Sequence, residues 1–367
     1  MADGAAQAHR IKGLDGLRGI AAISVLLFHY TVVYGQLIGP IGPLPFVATY
    51  GRHGVDLFFI ISGFVILMTV ENSRTLADFV VSRFARLFPA FWAAVSITSC
   101  ALIISPLLPT FWSPGPGTIA ANLTMMPVLF HAHLIDGAYW SLFYELMFYV
   151  LMGLICRFRL AHRIEPICLL WIAIFSVVRW LDPELGWRTR QILLVHYGHL
   201  FIVGICIYRI WGGRSGPLTY VVLALACGMS LFGPGPESGI MPPGLYFAIT
   251  LACAGAVWLA SANRFPFLRT RPLLFLGGIS YPVYMLHQII GFEVIRLALG
   301  GGLSSTMALS LAAGVTILLA TAINILIERP ARDWIRRLYA GSRHRLSKPH
   351  AAQAVSVRGD DQRREAI

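Results

Sequence analysis

The chain has 367 residues, of which 57% are hydrophobic and only 13% are charged, and its mean hydropathy is +0.70. Soluble proteins carry roughly twice that charged fraction, so the composition excludes a soluble enzyme and indicates a polytopic membrane protein. The formal net charge of +12 does not indicate nucleic-acid binding, because the arginines lie between the apolar segments, where they set membrane topology or bind an anionic ligand.

Windows of about 20 apolar residues mark transmembrane helices. We expect an all-α protein with about ten of them, over residues 15–35, 53–71, 88–108, 139–156, 165–181, 192–211, 217–232, 243–261, 273–298 and 305–327. The longest connector, 109–138, is a candidate re-entrant or lid segment. The expected division is a cytoplasmic segment 1–13, a transmembrane domain 14–339 and a disordered cytoplasmic tail 340–367. The six cysteines lack the spacing of metal ligands, so no metal site is expected.

The orientation of the chain follows from its loop arginines. Clusters at 74–86, 157–163, 209–214 and 264–271 fall on the same side as both termini. This excess of positive charge predicts that both termini are cytoplasmic and that the protein spans the inner (plasma) membrane several times. One loop disagrees, because Arg179, Arg188 and Arg190 fall on the opposite side.

Ionisable residues inside the apolar segments are the first candidates for function, because burying them is costly. Arg18 and His29 are eleven residues apart, which places both on one helical face about 16 Å apart along the axis. With straight helices, His29, Asp56, Glu145 and His287 all fall about 20–24 Å above the cytoplasmic face. The sequence therefore predicts a polar chamber in the outer half of the membrane.

A histidine with a carboxylate neighbour is a general base with a fixed tautomer. We expect His29 to be that base, with Asp56 or Glu145 as its partner. The alternatives are that such pairs only lock helices together, or that they relay protons in a transporter. His196 and His199 fall near the same level and suit acceptor binding or helix packing equally well.

A second candidate site lies at the cytoplasmic end. Arg83 and Arg86 are three residues apart on one helical face, and Arg18 lies at the same boundary. Three guanidinium groups suit a diphosphate, which accepts bidentate hydrogen bonds, although plain topological anchoring also explains them. A diphosphate site beneath a base in the outer half of the membrane predicts a long, thin donor such as an acyl-coenzyme A.

The chain also contains six motifs that resemble, in order, those of the membrane acyltransferase 3 family, which includes O-antigen and exopolysaccharide O-acetyltransferases. The resemblance covers about residues 11–339. The motifs are RGIAAISVLLFH (18–29), GVDLFFIISGF (54–64), RFARLFP (83–89), WSLFYE (140–145), LGGISYPVYMLH (276–287) and ERP (328–330).

The resemblance implies transfer of an acyl group, usually acetyl, from cytoplasmic acetyl-CoA to a sugar hydroxyl on the far side of the membrane. It assigns His29 as the signature histidine and Arg18, Arg83 and Arg86 as donor-binding residues. The polar motif positions are Asp56, Ser62, Glu145 and Glu328. Substrate contacts are expected from Ser62, Trp140, Tyr281 and His287. Many relatives carry an appended esterase-like domain; it is expected to be absent here, with transfer direct or completed by a partner.

Three functions fit the sequence. The first is a membrane O-acyltransferase that modifies an exopolysaccharide, an O-antigen or a lipid-linked precursor. The second is a transporter or flippase of a glycoconjugate, and the third is an acyltransferase for a small hydrophobic acceptor such as a macrolide. The expected partners are acyl-CoA, a sugar or polysaccharide acceptor, membrane lipid and polysaccharide-assembly proteins, with no nucleic acid. No permanently bound cofactor is expected.

Overall fold

The computed structural model describes residues 11–104, 114–181, 187–232 and 241–347, and every regular element within these ranges is a helix. Short turns of 3₁₀ helix join several of them. The helices are α1 (Lys12–Phe28), α2 (Gly54–Asn72), α3 (Leu76–Ile104), α4 (Pro116–Leu123), α5 (Trp140–Arg157), α6 (Ile164–Leu181), α7 (Trp187–Ile192), α8 (Gly198–Trp211), α9 (Pro217–Gly228), α10 (Pro243–Ser261), α11 (Arg271–Leu286), α12 (Ile289–Gly300), α13 (Ser305–Ile323) and α14 (Arg329–Ser347).

Seven helical segments of the described chain are long and apolar enough to cross a membrane, and an eighth is reached if the broken pair α11–α12 counts as one span. Each of the ten expected segments contains a helix, but the count of ten spans is not reached. Gly198–Trp211 and Pro217–Phe232 are apolar but shorter, and α11 and α12 meet at an angle of 76°. The protein is therefore an all-helical, multi-pass membrane protein.

Backbone contact between helices fixes the positions of α1 and α2. A Cβ on Gly277 of α11 would collide with the carbonyl oxygen of Asp15 in α1, and one on Gly63 of α2 would collide with the carbonyl of Phe201 in α8. Gly204 of α8 faces the carbonyl of Ile60 in the same way. Small residues permit such close approach between helices in lipid, where packing rather than the hydrophobic effect drives association. These contacts hold the two helices that carry Arg18, His29, Asp56 and Ser62.

The break between α11 and α12 is fixed by a buried carboxylate. Asp136 accepts hydrogen bonds from the backbone N–H of Ala138 at 2.8 Å and of Ile289 at 3.1 Å, and it is fully buried. It therefore ties the connector before α5 to the first residue of α12. In the described part of that connector, Asn122 donates to the carbonyl of His133 and accepts from the N–H of Ile135. Residues 105–113, which include the first five residues of the expected lid 109–138, lie outside the described residues.

The ends of two helices differ from the sequence-based expectation. Helix α3 begins at Leu76 rather than near residue 88, so Arg83 and Arg86 lie within it. Helix α13 continues through a π-helical turn, Asn324–Glu328, into α14, which ends at Ser347. Residues 340–347 are thus helical where a disordered tail was expected, and the rest of that tail, 348–367, lies outside the described residues.

We predict that Gly204→Ala lowers the free energy of unfolding by about 1–3 kcal/mol, the usual cost of overpacking, because the new methyl group has no space against Ile60. The matched control is Gly255→Ala in α10, where a Cβ would meet no atom within 4 Å. There, the higher helix propensity of alanine should leave stability unchanged or raise it by up to about 1 kcal/mol. Thermal unfolding in detergent measures both; equal losses in the two variants would contradict the packing argument.

Candidate active site

Five arginines surround one open cavity of about 970 Å³, here called the arginine cavity. The structure brings Arg18, Arg83 and Arg86, the three that the sequence singled out, to this cavity. Arg332 and Arg336 of α14 join them, and the sequence analysis missed both. The other polar groups of the lining are Ser62, Ser141, Glu145, Tyr149, Ser280, Tyr281 and Tyr284.

The charges in the arginine cavity are only partly balanced. Arg86 forms an ion pair with Glu328, whose side chain is fully buried. Arg83 donates from Nε to Ser82 Oγ at 3.3 Å, and the buried Nε of Arg18 has no hydrogen-bond partner. Because neither of these two arginines has a carboxylate partner among the described residues, the cavity is suited to an anion.

Glu145 belongs to the arginine cavity and not to the chamber around His29. Its Oε1 accepts hydrogen bonds from Ser62 at 3.0 Å and from Tyr149 at 2.5 Å. Ser62 lies six residues after Asp56 on α2, so Glu145 is held about 9 Å from the level of Asp56 along that helix. The depth estimate failed for Glu145 because it assumed straight, untilted helices and ignored the hydrogen bonds that draw this carboxylate away. Tyr281, whose buried hydroxyl has no partner, lines the same cavity.

A second cavity, of about 1180 Å³, lies on the other side of Val55 and Tyr284, which line both cavities. We call it the histidine cavity because His29 and His53 line it, together with Asp56, Trp140 and Tyr197. The rings of Trp140 and Tyr197 lie 5.0 Å apart and form an aromatic wall. His196 and His199 are not among the lining residues of either cavity.

His29 is oriented by the backbone. Its Nδ1 lies 2.9 Å from the carbonyl oxygen of Val25. Since a carbonyl only accepts hydrogen bonds, Nδ1 carries the proton and Nε2 of the neutral ring carries the lone pair. The ring of His287 packs edge-on against His29 with the centroids 4.5 Å apart, and its own Nδ1 donates to the carbonyl of Tyr284 at 2.6 Å. The break between α11 and α12 thus places the imidazole of His287 beside that of His29.

The sequence-based prediction that a carboxylate orients His29 is wrong. Asp56 Oδ2 instead accepts a hydrogen bond from Nδ1 of His53 at 2.6 Å, and both side chains are buried. The sequence analysis missed His53, although its spacing of three residues from Asp56 at the start of α2 is the signal for such a pair. The buried Nε2 of His53 has no hydrogen-bond partner. The histidine cavity therefore contains one histidine held by a carbonyl and another held by a carboxylate.

Comparisons with known proteins identify the family of the chain. A family model described as an acyltransferase domain, that of acyltransferase 3, matches residues 11–327. The chain belongs to the acyltransferase 3 family. It is therefore a membrane-bound acyltransferase, and the resemblance seen in the motifs is confirmed.

Three relatives align with most of this chain. The exopolysaccharide production protein ExoZ of Rhizobium meliloti is 27% identical in an alignment of 324 residues that covers 80% of this chain and 94% of ExoZ. The O-acetyltransferase OatA of Staphylococcus aureus is 26% identical over 76% of this chain and 50% of its own length. The putative membrane-bound transacylase BcsY of Komagataeibacter xylinus is 24% identical over 92% of this chain and 87% of BcsY. No solved structure matches the chain.

We predict that Arg86→Ala lowers the stability of this acyltransferase by about 3–5 kcal/mol, because it leaves the buried Glu328 carboxylate unpaired. Adding Glu328→Gln should restore much of the loss, since the buried charge is then gone. Arg83→Ala is the matched control on the same helix and should have little effect, because Arg83 has no carboxylate partner among the described residues. Thermal unfolding of Arg86→Ala, Glu328→Gln, the double variant and Arg83→Ala in detergent tests this; additive losses in the double variant would contradict it.

Proposed function

We propose that the protein is a membrane O-acyltransferase that moves an acetyl group from acetyl-CoA in the arginine cavity to a sugar hydroxyl in the histidine cavity. The observation that carries this proposal is the pair of adjoining cavities, one cationic and one containing His29, with Val55 and Tyr284 common to both. A donor with a charged head and a slender thioester arm fits this arrangement. A transporter does not need an arginine cavity of this kind.

The donor enters with its charged end against the arginines. Arg18 and Arg83 bind the diphosphate, and the pantetheine arm runs between Val55 and Tyr284 towards His29. Ser62 and Tyr281 line its path, and Glu145 positions Ser62 through their hydrogen bond. Because positive charge is retained on the cytoplasmic side, we place the arginine cavity at the cytoplasmic face of the inner (plasma) membrane, with both termini on that side. The acceptor then enters the histidine cavity from outside.

His29 is the catalytic residue of this scheme. As the acceptor oxygen attacks the thioester carbonyl, its proton moves to Nε2 of His29. The carbon–sulfur bond breaks, and the imidazolium returns the proton to the thiolate sulfur of CoA. The carbonyl of Val25 fixes the required tautomer, and the edge-on contact with His287 restricts the ring. Asp56, held on His53, stabilises the developing imidazolium through the field across the cavity rather than by contact.

The acceptor is a sugar of an exported polysaccharide or of its lipid-linked precursor. Two features support this class: the aromatic wall of Trp140 and Tyr197 offers flat apolar faces beside polar groups, and the relative ExoZ is named for exopolysaccharide production. Membrane vesicles that contain the protein should transfer labelled acetyl from acetyl-CoA to polymer extracted from the same cells. If polymer remains unlabelled while a small hydrophobic molecule is acetylated, the sugar acceptor is wrong.

We predict that His29→Ala reduces acetyl transfer by about 10²–10⁴-fold or more, the usual cost of removing a general base. Binding of CoA should be unchanged, because His29 lies outside the arginine cavity. The control is His162→Ala, an exposed histidine that donates to the carbonyl of Arg159 and should retain full activity. Labelled transfer in vesicles and calorimetry with CoA measure the two effects. Near-normal transfer by a well-expressed His29→Ala protein would remove His29 from the mechanism.

We predict that Arg18→Ala and Arg83→Ala each weaken CoA binding by about ten- to hundredfold, the cost of losing a charge-assisted hydrogen bond. Lysine at either position should restore affinity only in part, because an ammonium group cannot reproduce the planar fork of arginine. Arg163→Ala, at an exposed residue of the 3₁₀ turn Leu160–Arg163, is the control. Calorimetry on the purified proteins gives the affinities; if Arg18→Ala and Arg83→Ala both bind CoA as the unmodified protein does, these two arginines serve topology alone.

A further inference from the structure

The first turns of α14 form one wall of the arginine cavity. Arg332 and Arg336 are four residues apart, so they lie on the same face of the helix, and both line the cavity. The match to the acyltransferase domain ends at residue 327, before α14 begins at Arg329. These two arginines therefore have no role assigned by the family comparison.

Helix α14 is held against α3, the helix that carries Arg83 and Arg86. It packs along α3, and the hydroxyl of Tyr339 donates to Asp78 of α3 at 3.0 Å. Arg332 also lines an adjoining cavity, of about 1030 Å³, together with Arg18 and Arg86. The two α14 arginines thus extend the cationic lining of the proposed diphosphate site to its open end.

The face of α14 opposite these two arginines carries apolar side chains. Trp334 and Leu338 each lie two residues after an arginine of the cavity, which turns them to the far side of the helix. Both are exposed, by 62% and 53%, as expected of side chains that meet lipid or the membrane interface. Arg332 and Arg336 therefore lie on the face of α14 that lines the arginine cavity, although the side chain of Arg336 is itself exposed.

A charge balance shows what this ligand needs. Arg86 is paired with Glu328, and the carboxyl group of Glu145 also lines the cavity, so Arg18 and Arg83 supply no positive charge beyond the two negative charges of a diphosphate. CoA carries in addition a 3′-phosphate, a phosphomonoester with about −1.5 to −2 charges at neutral pH. Arg332 and Arg336 supply two further positive charges. The only ion pair of either that the described structure contains is the one between Arg332 and Asp333, at 3.6 Å, and exposed pairs of that kind are weak.

We propose that Arg332 and Arg336 bind the 3′-phosphate of the CoA donor. This inference depends on the proposed function, since it assumes that the donor is a CoA thioester held by the arginine cavity. In this arrangement α14 binds the nucleotide end of the donor, while α1 and α3 bind the diphosphate. The pair then selects donors with a phosphomonoester at this position and rejects those without one.

The test compares two ligands on the purified full-length protein in uncharged detergent. CoA and 3′-dephospho-CoA differ only in the phosphomonoester, so the ratio of their dissociation constants isolates its contribution. The unmodified protein should bind CoA at least about tenfold more tightly, the lower end of the cost of losing a charge-assisted contact. In Arg332→Ala/Arg336→Ala the preference should disappear, with the affinity for 3′-dephospho-CoA unchanged. Arg337→Ala, a neighbour on α14 that lines neither cavity, should keep the full preference.

Each other outcome overturns the inference in a distinct way. If the double variant loses affinity for both ligands equally, the pair serves the diphosphate or the fold. If it keeps the preference for CoA, the 3′-phosphate is bound elsewhere, and a loss of binding to vesicles of anionic lipid would then identify a lipid phosphate as the ligand. If the unmodified protein binds neither nucleotide, the proposed donor itself is wrong, and the inference fails with it.

Discussion

The backbone contact between α1 and α11 is the constraint on which the site depends. Gly277 allows the carbonyl of Asp15 to touch α11, which fixes α1 against that helix by backbone contact. Arg18 and His29 then project into two different cavities, and α11 brings Tyr281 to one cavity and His287 to the ring of His29. In the proposed mechanism, a looser contact would separate the charged end of the donor from His29.

The pairing of buried polar groups explains which parts of the site could be predicted from sequence. Each of the ten apolar segments found by hydropathy contains a helix, and the eleven-residue spacing of Arg18 and His29 indicated their common face. The hydrogen-bond partners of these groups did not follow, because the depth estimate gave Asp56 and Glu145 nearly the same level, whereas local geometry decides which group each carboxylate contacts. Asp56 pairs with His53, three residues before it, and Glu145 is bound by Ser62 and Tyr149. Short-range hydrogen bonds thus outweighed the common depth on which the prediction relied.

Irregular helix geometry accounts for the remaining differences. His29 begins a π-helical turn, His29–Val33, and Glu328 ends another, Asn324–Glu328. A single π turn changes the direction of the side chains that follow it, and such turns occur frequently at functional sites. The break before Ile289 depends on Asp136, a residue 153 positions away in sequence. No periodicity within 273–298 could indicate this, so the ninth predicted span was drawn as one helix.

His29 and His53, the two histidines of the histidine cavity, have hydrogen-bond partners of different charge. This difference bears on how the proposed enzyme limits hydrolysis of its thioester donor by water. The hydrogen-bond partner of His29 is a neutral carbonyl, and Asp56 is bound to His53 instead. Among the described residues, no carboxylate is therefore hydrogen-bonded to His29. A base without a contacting carboxylate is less effective towards stray water, and it works best when a bound acceptor presents a hydroxyl at the right place and excludes water. The arrangement that contradicts the expected triad therefore suits the proposed mechanism, in which the bound donor reacts only after the acceptor has bound.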